Sequence, residues 1–349
     1  MNSAGYQAVS QEDEQRDEQY HSEHDSSGEP TRIDFKWWAW LVGVIALVPL
    51  SYVFIYLPYL SADAIKVPDL VRVDVLPEWH IPDQKSDSKL ILIGDVHGNL
   101  KELKKLLKKA DYDRKKDHFV LLGDFITKGE DSLGVINFAI DNGASCVRGN
   151  HEDKILNFYT DYRNLPPPRT EALSPTGTPY VGDMDRSKGE EYTEGYLEDN
   201  EHIIHGLRPR HIEYLGSCSA ILELGKVSTD NSPAVAVHAG LVWNIETLRE
   251  QDPEMVMRIR SLLPPDYTEA SEDDEGDPWI DYWNKQQKKL PKSERTTVFY
   301  GHNARRGLEL TDYTKGLDSG CVKGDELSAI VITQSKKGKF KHKLYSVDC

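Results

Sequence analysis

Cysteine is scarce in this chain: Cys146, Cys218, Cys321 and Cys349 are the only four in 349 residues. No two of them stand at Cys-x-x-Cys spacing, which argues against a zinc ribbon or a thioredoxin-type redox site. Four thiols are too few for a disulfide scaffold of this length; one bridge in an oxidising compartment stays open, with no pairing favoured. No Asn-x-Ser/Thr glycosylation acceptor occurs. Positive charge is in deficit. The 42 Lys and Arg against 58 Asp and Glu give a net charge of −16, the wrong sign for binding duplex nucleic acid through a basic face. One long apolar run is present, which excludes a multi-spanning membrane protein, and no internal repeat is apparent.

What is there divides into four segments. Residues 1–36 hold nine acidic and three basic residues with almost no apolar clustering, so the segment is expected to be a disordered acidic tail. Trp37 to Leu60 runs 24 residues without a charge. As a helix it would extend about 36 Å, enough to cross a ~30 Å hydrocarbon core with tilt. Trp37, Trp38 and Trp40 at one end and Tyr56 and Tyr59 at the other suit the two interfaces, and a single transmembrane helix is predicted over 37–60. Ala62-Asp63-Ala64 resembles a small-x-small cleavage site. Arg32 and Lys36 before the run and Lys66 and Arg72 after it leave its orientation open. Residues 61–88 read as a linker and 89–349 as one α/β domain.

Within that domain, β-rich runs at Leu90–Ile93, His118–Leu122, Ser145–Val147, Ala234–Val237, Thr296–Tyr300, Ala329–Ile332 and Lys343–Val347 alternate with helical patterns. In Asn99–Lys109, Leu100, Leu103, Leu106 and Leu107 share one face and five lysines surround it, as on a solvated helix. Leu165–Asn200 and Pro264–Asp277 read as surface insertions or loops.

Metal-ligand residue types recur where these strands end. Asp95 and His97 follow the first run, Asp124 the second, Asn150 and His151 the third, His238 the fourth and His302 the fifth, usually beside a glycine. In α/β sheets the carboxyl ends of strands form the ligand crevice. Carboxylate, imidazole and amide oxygen without thiolate suit Zn, Mn, Fe or Co. Two such ions about 3.5–4 Å apart, bridged by a shared carboxylate, clamp the attacking and leaving oxygens of a phosphoryl transfer and supply a hydroxide at neutral pH. A lone histidine of this kind is more often structural; five strand ends with one pattern point to a site.

Gly94–Leu100, Gly123–Gly129, Arg148–Glu152, Val237–Leu241 and Gly301-His302-Asn303 resemble, in order, the five blocks of the calcineurin-like metallophosphatases, over roughly residues 89–349. The resemblance implies a β-sandwich flanked by helices with the site at one edge. It implies that Asp95 and His97 bind a first metal, Asp124 bridges, and Asn150, His238 and His302 complete a second. His151 would protonate the leaving oxygen and Arg148 would hold a substrate phosphate. All of these being present argues against a catalytically dead binding module.

The second block departs from the Gly-Asp-x-Val-Asp-Arg-Gly pattern of protein serine/threonine phosphatases. Thr127 stands where an Asp orients the catalytic histidine and Lys128 where an Arg grips phosphate, which disfavours that activity and implies a less firmly anchored His151. Gly123–Ser132, Gly316–Val322 and Leu327–Ala329 instead look like the diadenosine tetraphosphatase branch, which cleaves phosphoanhydrides. With the acidic tail and single span, the chain is similar to the fungal vacuolar zinc-dependent endopolyphosphatases. That implies inorganic polyphosphate as substrate, zinc with Mn or Co as substitutes, and contact with vacuolar membrane lipid through the anchor. It also implies a lumenal catalytic domain and a cytosolic tail. Lys128, Arg148, Arg305 and Arg306 are the candidate phosphate-binding cations; Arg208 and Arg210 read as ordinary surface charges. Hydrolysis of dinucleoside polyphosphates is the alternative, and would need a base-stacking aromatic such as Trp243, Tyr300 or Tyr313 near the metals.

Overall fold

The computed structural model describes residues 35–56, 65–85, 87–168 and 194–349. The expected acidic tail up to residue 34 and the middle of the expected insertion, 169–193, lie outside the described residues. Two compact units divide at residues 62 and 63.

In the first unit, α1 (Phe35–Ser51) is 17 residues long and continues into a π-helical turn, Tyr52–Tyr56. Its large apolar side chains, Trp37, Trp38, Trp40 and Ile45 among them, are exposed. Among the described residues no helix is long and apolar enough to cross a membrane. The helix expected over 37–60 is seen as far as Tyr56, and 57–60 lie outside the described residues.

The second unit runs β1 (Val73–Val75), β2 (Leu90–Ile93), α2 (Leu100–Lys109), β3 (His118–Leu121), α3 (Ser132–Asn142), β4 (Ser145–Cys146), α4 (Asn150–Tyr162), α5 (Glu194–Gly206), α6 (Pro209–Ser217), β5 (Ile221–Gly225), β6 (Ala234–Val237), α7 (Pro253–Arg258), β7 (Ser261–Leu263), β8 (Glu269–Ser271), β9 (Asp277–Pro278), α8 (Trp279–Lys289), β10 (Thr297–Tyr300), β11 (Glu309–Leu310), β12 (Thr314–Gly316), β13 (Glu326–Gln334) and β14 (Phe340–Asp348). One sheet has the order β14-β13-β2-β3-β4 and the other β1-β5-β6-β10-β12-β11. β2, β3 and β4 are mutually parallel, as are β6, β10 and β12.

Two-residue periodicity sorts the strand side chains into layers. Leu90, Leu92, Val120 and Leu122 meet Leu222, Ala236, Phe299 and Ile330 in the interior between the sheets. Their neighbours Ile91, Ile93, Phe119 and Leu121 face the opposite way, onto Leu103, Leu106 and Leu107 of α2, Val135 and Ile136 of α3 and Ile155 of α4. Val235, Val237, Val298 and Tyr300 pack outward on Val256 and Met257 of α7 and Trp279 and Trp283 of α8. A strand buried on both faces has no polar side, which is why β2 reads Leu-Ile-Leu-Ile. The result is the helix-flanked β-sandwich that the resemblance implies.

Three expectations need correction. The segment expected as a linker is part of the domain: β1 pairs with β5, and Val67, Leu70 and Leu76 are buried. The insertion expected at Pro264–Asp277 contributes β8 and the start of β9 to a three-stranded sheet with β7. All four cysteines are bridged, Cys146 to Cys218 and Cys321 to Cys349, where at most one bridge was left open. The first bridge ties β4, which leads into the Arg148–Glu152 block, to the end of α6.

Candidate metal centre and active site

The strand ends converge as their spacing suggests. Ligand atoms of His97, Asp124 and His151 lie within 4.8 Å of one another, and so do those of Asp124, His238 and His302. Asp124 belongs to both groups. Its Oδ1 is 3.3 Å from His238 Nε2; its Oδ2 is 3.9 Å from His97 Nε2 and 3.8 Å from His151 Nε2. Asn150 Oδ1 lies 3.1 Å from His238 Nε2. Asp95 Oδ2 is 4.0 Å from His97 Nε2, and its two oxygens accept from the His302 backbone N–H at 3.1 and 3.2 Å.

Each candidate imidazole ligand commits one nitrogen to a backbone carbonyl. His97 Nδ1 faces Ile126 O at 3.2 Å, His238 Nδ1 faces Leu122 O at 2.8 Å, and His302 Nε2 faces Arg258 O at 3.1 Å. A carbonyl only accepts, so these nitrogens carry the proton. The lone pairs are left on His97 Nε2, His238 Nε2 and His302 Nδ1, the tautomers a metal requires.

The electrostatics agree. Burial, with Asp318 and Asp124 nearby, raises the Asp95 carboxyl well above the usual range. Asp318, buried beside Asp124, is raised too. Burial would also raise Asp124, but the imidazoles of His238, His151 and His97 hold it well below. Burial opposes charge on His238, yet Asp124 and Asp95 push it up to about 10, so without an ion its Nε2 keeps a proton, which a bound metal would displace. Three buried carboxylates thus create a field that favours positive charge at their centre. With imidazole and amide oxygen and no thiolate, this donor set fits two divalent ions sharing Asp124.

The backbone is shaped to the same end. His97, Asp124, Thr127, Lys128 and His302 all have positive φ, between +45° and +71°, a strained state in non-glycine residues that clusters at functional sites. Gly301 is required where it stands: a Cβ there would lie 2.0 Å from Asp95 Oδ1. Glu152, at no exposure, accepts from the backbone N–H of Asp124, Phe125, Ile126 and Gly149 at 2.8–3.2 Å and so locks the Asp124 loop to the start of α4.

His151 presents Nε2 to Asp124 and Nδ1 to two hydroxyls, Thr127 Oγ1 at 2.7 Å and Tyr196 OH at 2.9 Å. Thr127 thus puts a neutral hydroxyl where the Asp is absent, and Tyr196 adds a second. Tyr196 lies on α5, in a stretch without motif, and nothing in the sequence marks it.

The cations divide. Lys128 Nζ reaches within 3.5 Å of His97 Nε2. Arg148 does not fit the expected phosphate contact: it is fully buried, donates Nη2 to the carbonyls of Gly216 and Leu215, and pairs with Asp153 at 3.8 Å. It braces α6 against the turn before α4. Arg305 pairs with Asp274 at 2.7 Å and Arg306 with Glu309 at 2.7 Å. The half-buried Arg260, which sequence reasoning passed over, stands close enough to help lower the His302 pKa, after burial and His238.

A family model described as calcineurin-like phosphoesterase matches residues 88–314. The chain is 27% identical over 287 residues to the zinc-dependent endopolyphosphatase of Saccharomyces cerevisiae, covering 77% of this chain and 83% of that protein. It is 40% identical to the symmetrical bis(5'-nucleosyl)-tetraphosphatase of Photorhabdus laumondii, over 85 residues that make up 24% of this chain and 31% of that one. A crystal structure of a candidate diadenosine tetraphosphatase superposes with a TM-score of 0.55 at 25% identity, covering 80% of this chain and 98% of its own. The chain belongs to the calcineurin-like phosphoesterase family and is a hydrolase of the metallophosphoesterase type.

Proposed function

We propose that the protein is an endopolyphosphatase, hydrolysing internal phosphoanhydride bonds of inorganic polyphosphate at a dinuclear site centred on Asp124. The observation that carries this reading is what stands behind His151: two uncharged hydroxyls rather than a carboxylate. An alkoxide leaving group, as in a phosphoserine ester, needs a delivered proton, and a carboxylate behind the imidazole would sustain the imidazolium that delivers it. Phosphate is a far weaker base and leaves without that help. The backing of His151 therefore favours anhydrides over phosphoprotein esters.

Polyphosphate rather than a dinucleotide is supported by the breadth of the match to the yeast protein. The aromatic candidates for base stacking support it too. Tyr300 is buried against Trp279. Trp243 donates its indole N–H to Tyr267 O and stacks on Tyr282, and the Tyr313 hydroxyl accepts from Arg295.

In this reading Asp95, His97 and Asp124 hold one ion and Asp124, Asn150, His238 and His302 the other, with zinc favoured by the yeast relative's name. Bound there, divalent ions polarise phosphoryl oxygens and acidify water. Asp124 would be shared by the two ions, and Glu152 holds the Asp124 loop in place. Lys128 and Arg260 offer positive charge to phosphates flanking the scissile bond, replacing Arg148 in that role. His151 presents Nε2 to the leaving oxygen.

The catalytic unit is assigned to the lumen of the vacuole, with the amino-terminal tail cytosolic and the 37–60 segment as anchor. Two disulfides support an oxidising compartment, and 24 uncharged residues support the anchor.

The substrate class is tested by initial rates of the zinc-loaded full chain on polyphosphate, diadenosine tetraphosphate and a phosphoseryl peptide. Polyphosphate should be cleaved fastest and the peptide at least about 100-fold more slowly. A peptide rate equal to the polyphosphate rate would defeat the proposal.

A further inference from the structure

We propose that the lysine face formed by α2 and β14 is a second binding site for inorganic polyphosphate, one that holds the chain beyond the scissile bond while the metal centre cuts it. This rests on the substrate reading given above and adds a site away from every block that carries a metal ligand.

Charge is unevenly spread. The whole chain carries −16, yet residues 100–110 hold five lysines and one glutamate, and residues 335–347 hold five lysines and no acid. All ten lysines are exposed. Among the described residues none of them pairs with a carboxylate. On α2, Lys101 with Lys105, Lys104 with Lys108 and Lys105 with Lys109 are like charges four residues apart, which destabilises a helix. A bound polyanion relieves that repulsion.

The fold joins the two segments. Val331 of β13 packs with Leu103 and Leu106 of α2, and its partner across the ladder is Lys343; the next pair on that face is Thr333 with Lys341. Lys343 and Lys341 therefore stand on the sheet face that packs against α2. Lys105 Nζ donates to Asp348 O at 3.0 Å and Lys109 Nζ to Ser346 O at 2.6 Å. Going back along β14 from Asp348, Lys105 is met first and Lys109 next, and Lys343 and Lys341 carry the charge onward in the same direction. The other end reaches the active site. Gly98 follows His97, α2 begins two residues later, and a cleft of about 600 Å³ is lined there by Gly98, Asn99, Lys101, Lys104 and Cys349. Glu102, Glu130 and Asp131 share its walls, so the excess of positive charge lies beyond the cleft, on the outer lysines.

Length selects the ligand. α2 alone is about 15 Å long. A long polyphosphate lies along it with one bond at the metals, whereas tripolyphosphate is too short to occupy both places. A lipid surface is drawn to the same kind of charge, but a basic face that begins beside His97 favours the polymer that the metal centre cuts.

The test uses the zinc-loaded full chain in detergent, a variant with Lys101→Gln, Lys108→Gln, Lys341→Gln and Lys343→Gln combined, and a second with the same four lysines changed to Arg. Melting curves check that both variants fold. On long-chain polyphosphate at low salt the Gln variant should raise KM about 10-fold and the Arg variant should leave it unchanged, and added salt should raise the parent's KM more steeply than the Gln variant's. For tripolyphosphate, as substrate or as competing inhibitor, the three proteins should agree within about twofold. A long-chain KM unchanged in the Gln variant, or an equal rise for tripolyphosphate, would overturn the proposal. So would a Gln variant that loses binding to phosphatidylserine in the micelles while keeping the parent's long-chain KM, which would make the face a lipid surface. If polyphosphate is not cleaved at all, the substrate reading fails by itself. Binding of long-chain polyphosphate to the three zinc-loaded proteins then decides: weaker binding by the Gln variant alone sustains the site, and equal binding ends it.

Discussion

At the scale of single residues, the site works by disposing of alternatives. Three imidazoles each spend one nitrogen on a carbonyl oxygen, which leaves each a single way to face the centre. The motif residues were legible because chemistry restricts them: few side chains can ligate a divalent ion, and five strand ends carried them. Arg148 shows where that reasoning stops. Its place in the motif suggested phosphate, but only the fold reveals that its guanidinium points at Gly216 and Leu215. Arg148→Met, which keeps the buried stem and removes the charge, should therefore lower the melting temperature by several degrees, a cost of about 2 kcal/mol or more, because Asp153 loses its buried counter-charge and the Gly216 and Leu215 carbonyls lose a donor. KM for substrate should stay within about twofold. A tenfold rise in KM with unchanged melting would restore the phosphate role. Tyr196 and Arg260 were illegible for the opposite reason. Phenol and guanidinium are common surface groups, and only packing selects these two.

At the scale of elements, alternating apolar strands and amphipathic helices were readable because burial imposes their periods. The β2 range is as expected, and β3, β6 and β10 differ by at most one residue. β1, β5 and the β7–β9 sheet were missed: they are short, and β5 interrupts its apolar run with Glu223. One cross-strand pair makes a prediction. His118 Nε2 meets Ser145 Oγ across β3 and β4 at 2.9 Å, and its ring stacks on His80 at 3.5 Å. Burial, then His80, lowers the His118 pKa from 6.5 to about 3. The unfolded chain thus takes up this proton near pH 6.5 while the folded chain resists it. The associated stability is complete above pH 6.5 and is lost progressively as pH falls toward 3. Denaturant unfolding between pH 7 and 5 should show stability falling with acid, His118 contributing up to about 1.4 kcal/mol per pH unit, and His118→Gln should flatten the slope by that share. Equal slopes in the two proteins would place the proton elsewhere.

At the scale of the molecule, a chain of net charge −16 is proposed to act on a polyanion. That is reasonable only if the attraction is local, and it is: three buried carboxylates concentrate a demand for cations, and Lys128 stands beside them. The proposed anchor is a separate matter, since residues 37–60 fall in the other compact unit. Vesicle flotation should recover the full chain with lipid and leave a form without residues 1–62 in solution; flotation of both would dissociate the first unit from membrane attachment. The central claim is that a dinuclear site around Asp124 cuts polyphosphate internally. Its most direct measurement is a gel of long-chain polyphosphate after brief incubation with the zinc-loaded full chain, beside Asn150→Ala. Fragments of intermediate length with the parent protein, and intact polymer with the variant, are the expected result. Phosphate monomer alone from the parent, or equal fragmentation by the variant, would contradict the claim.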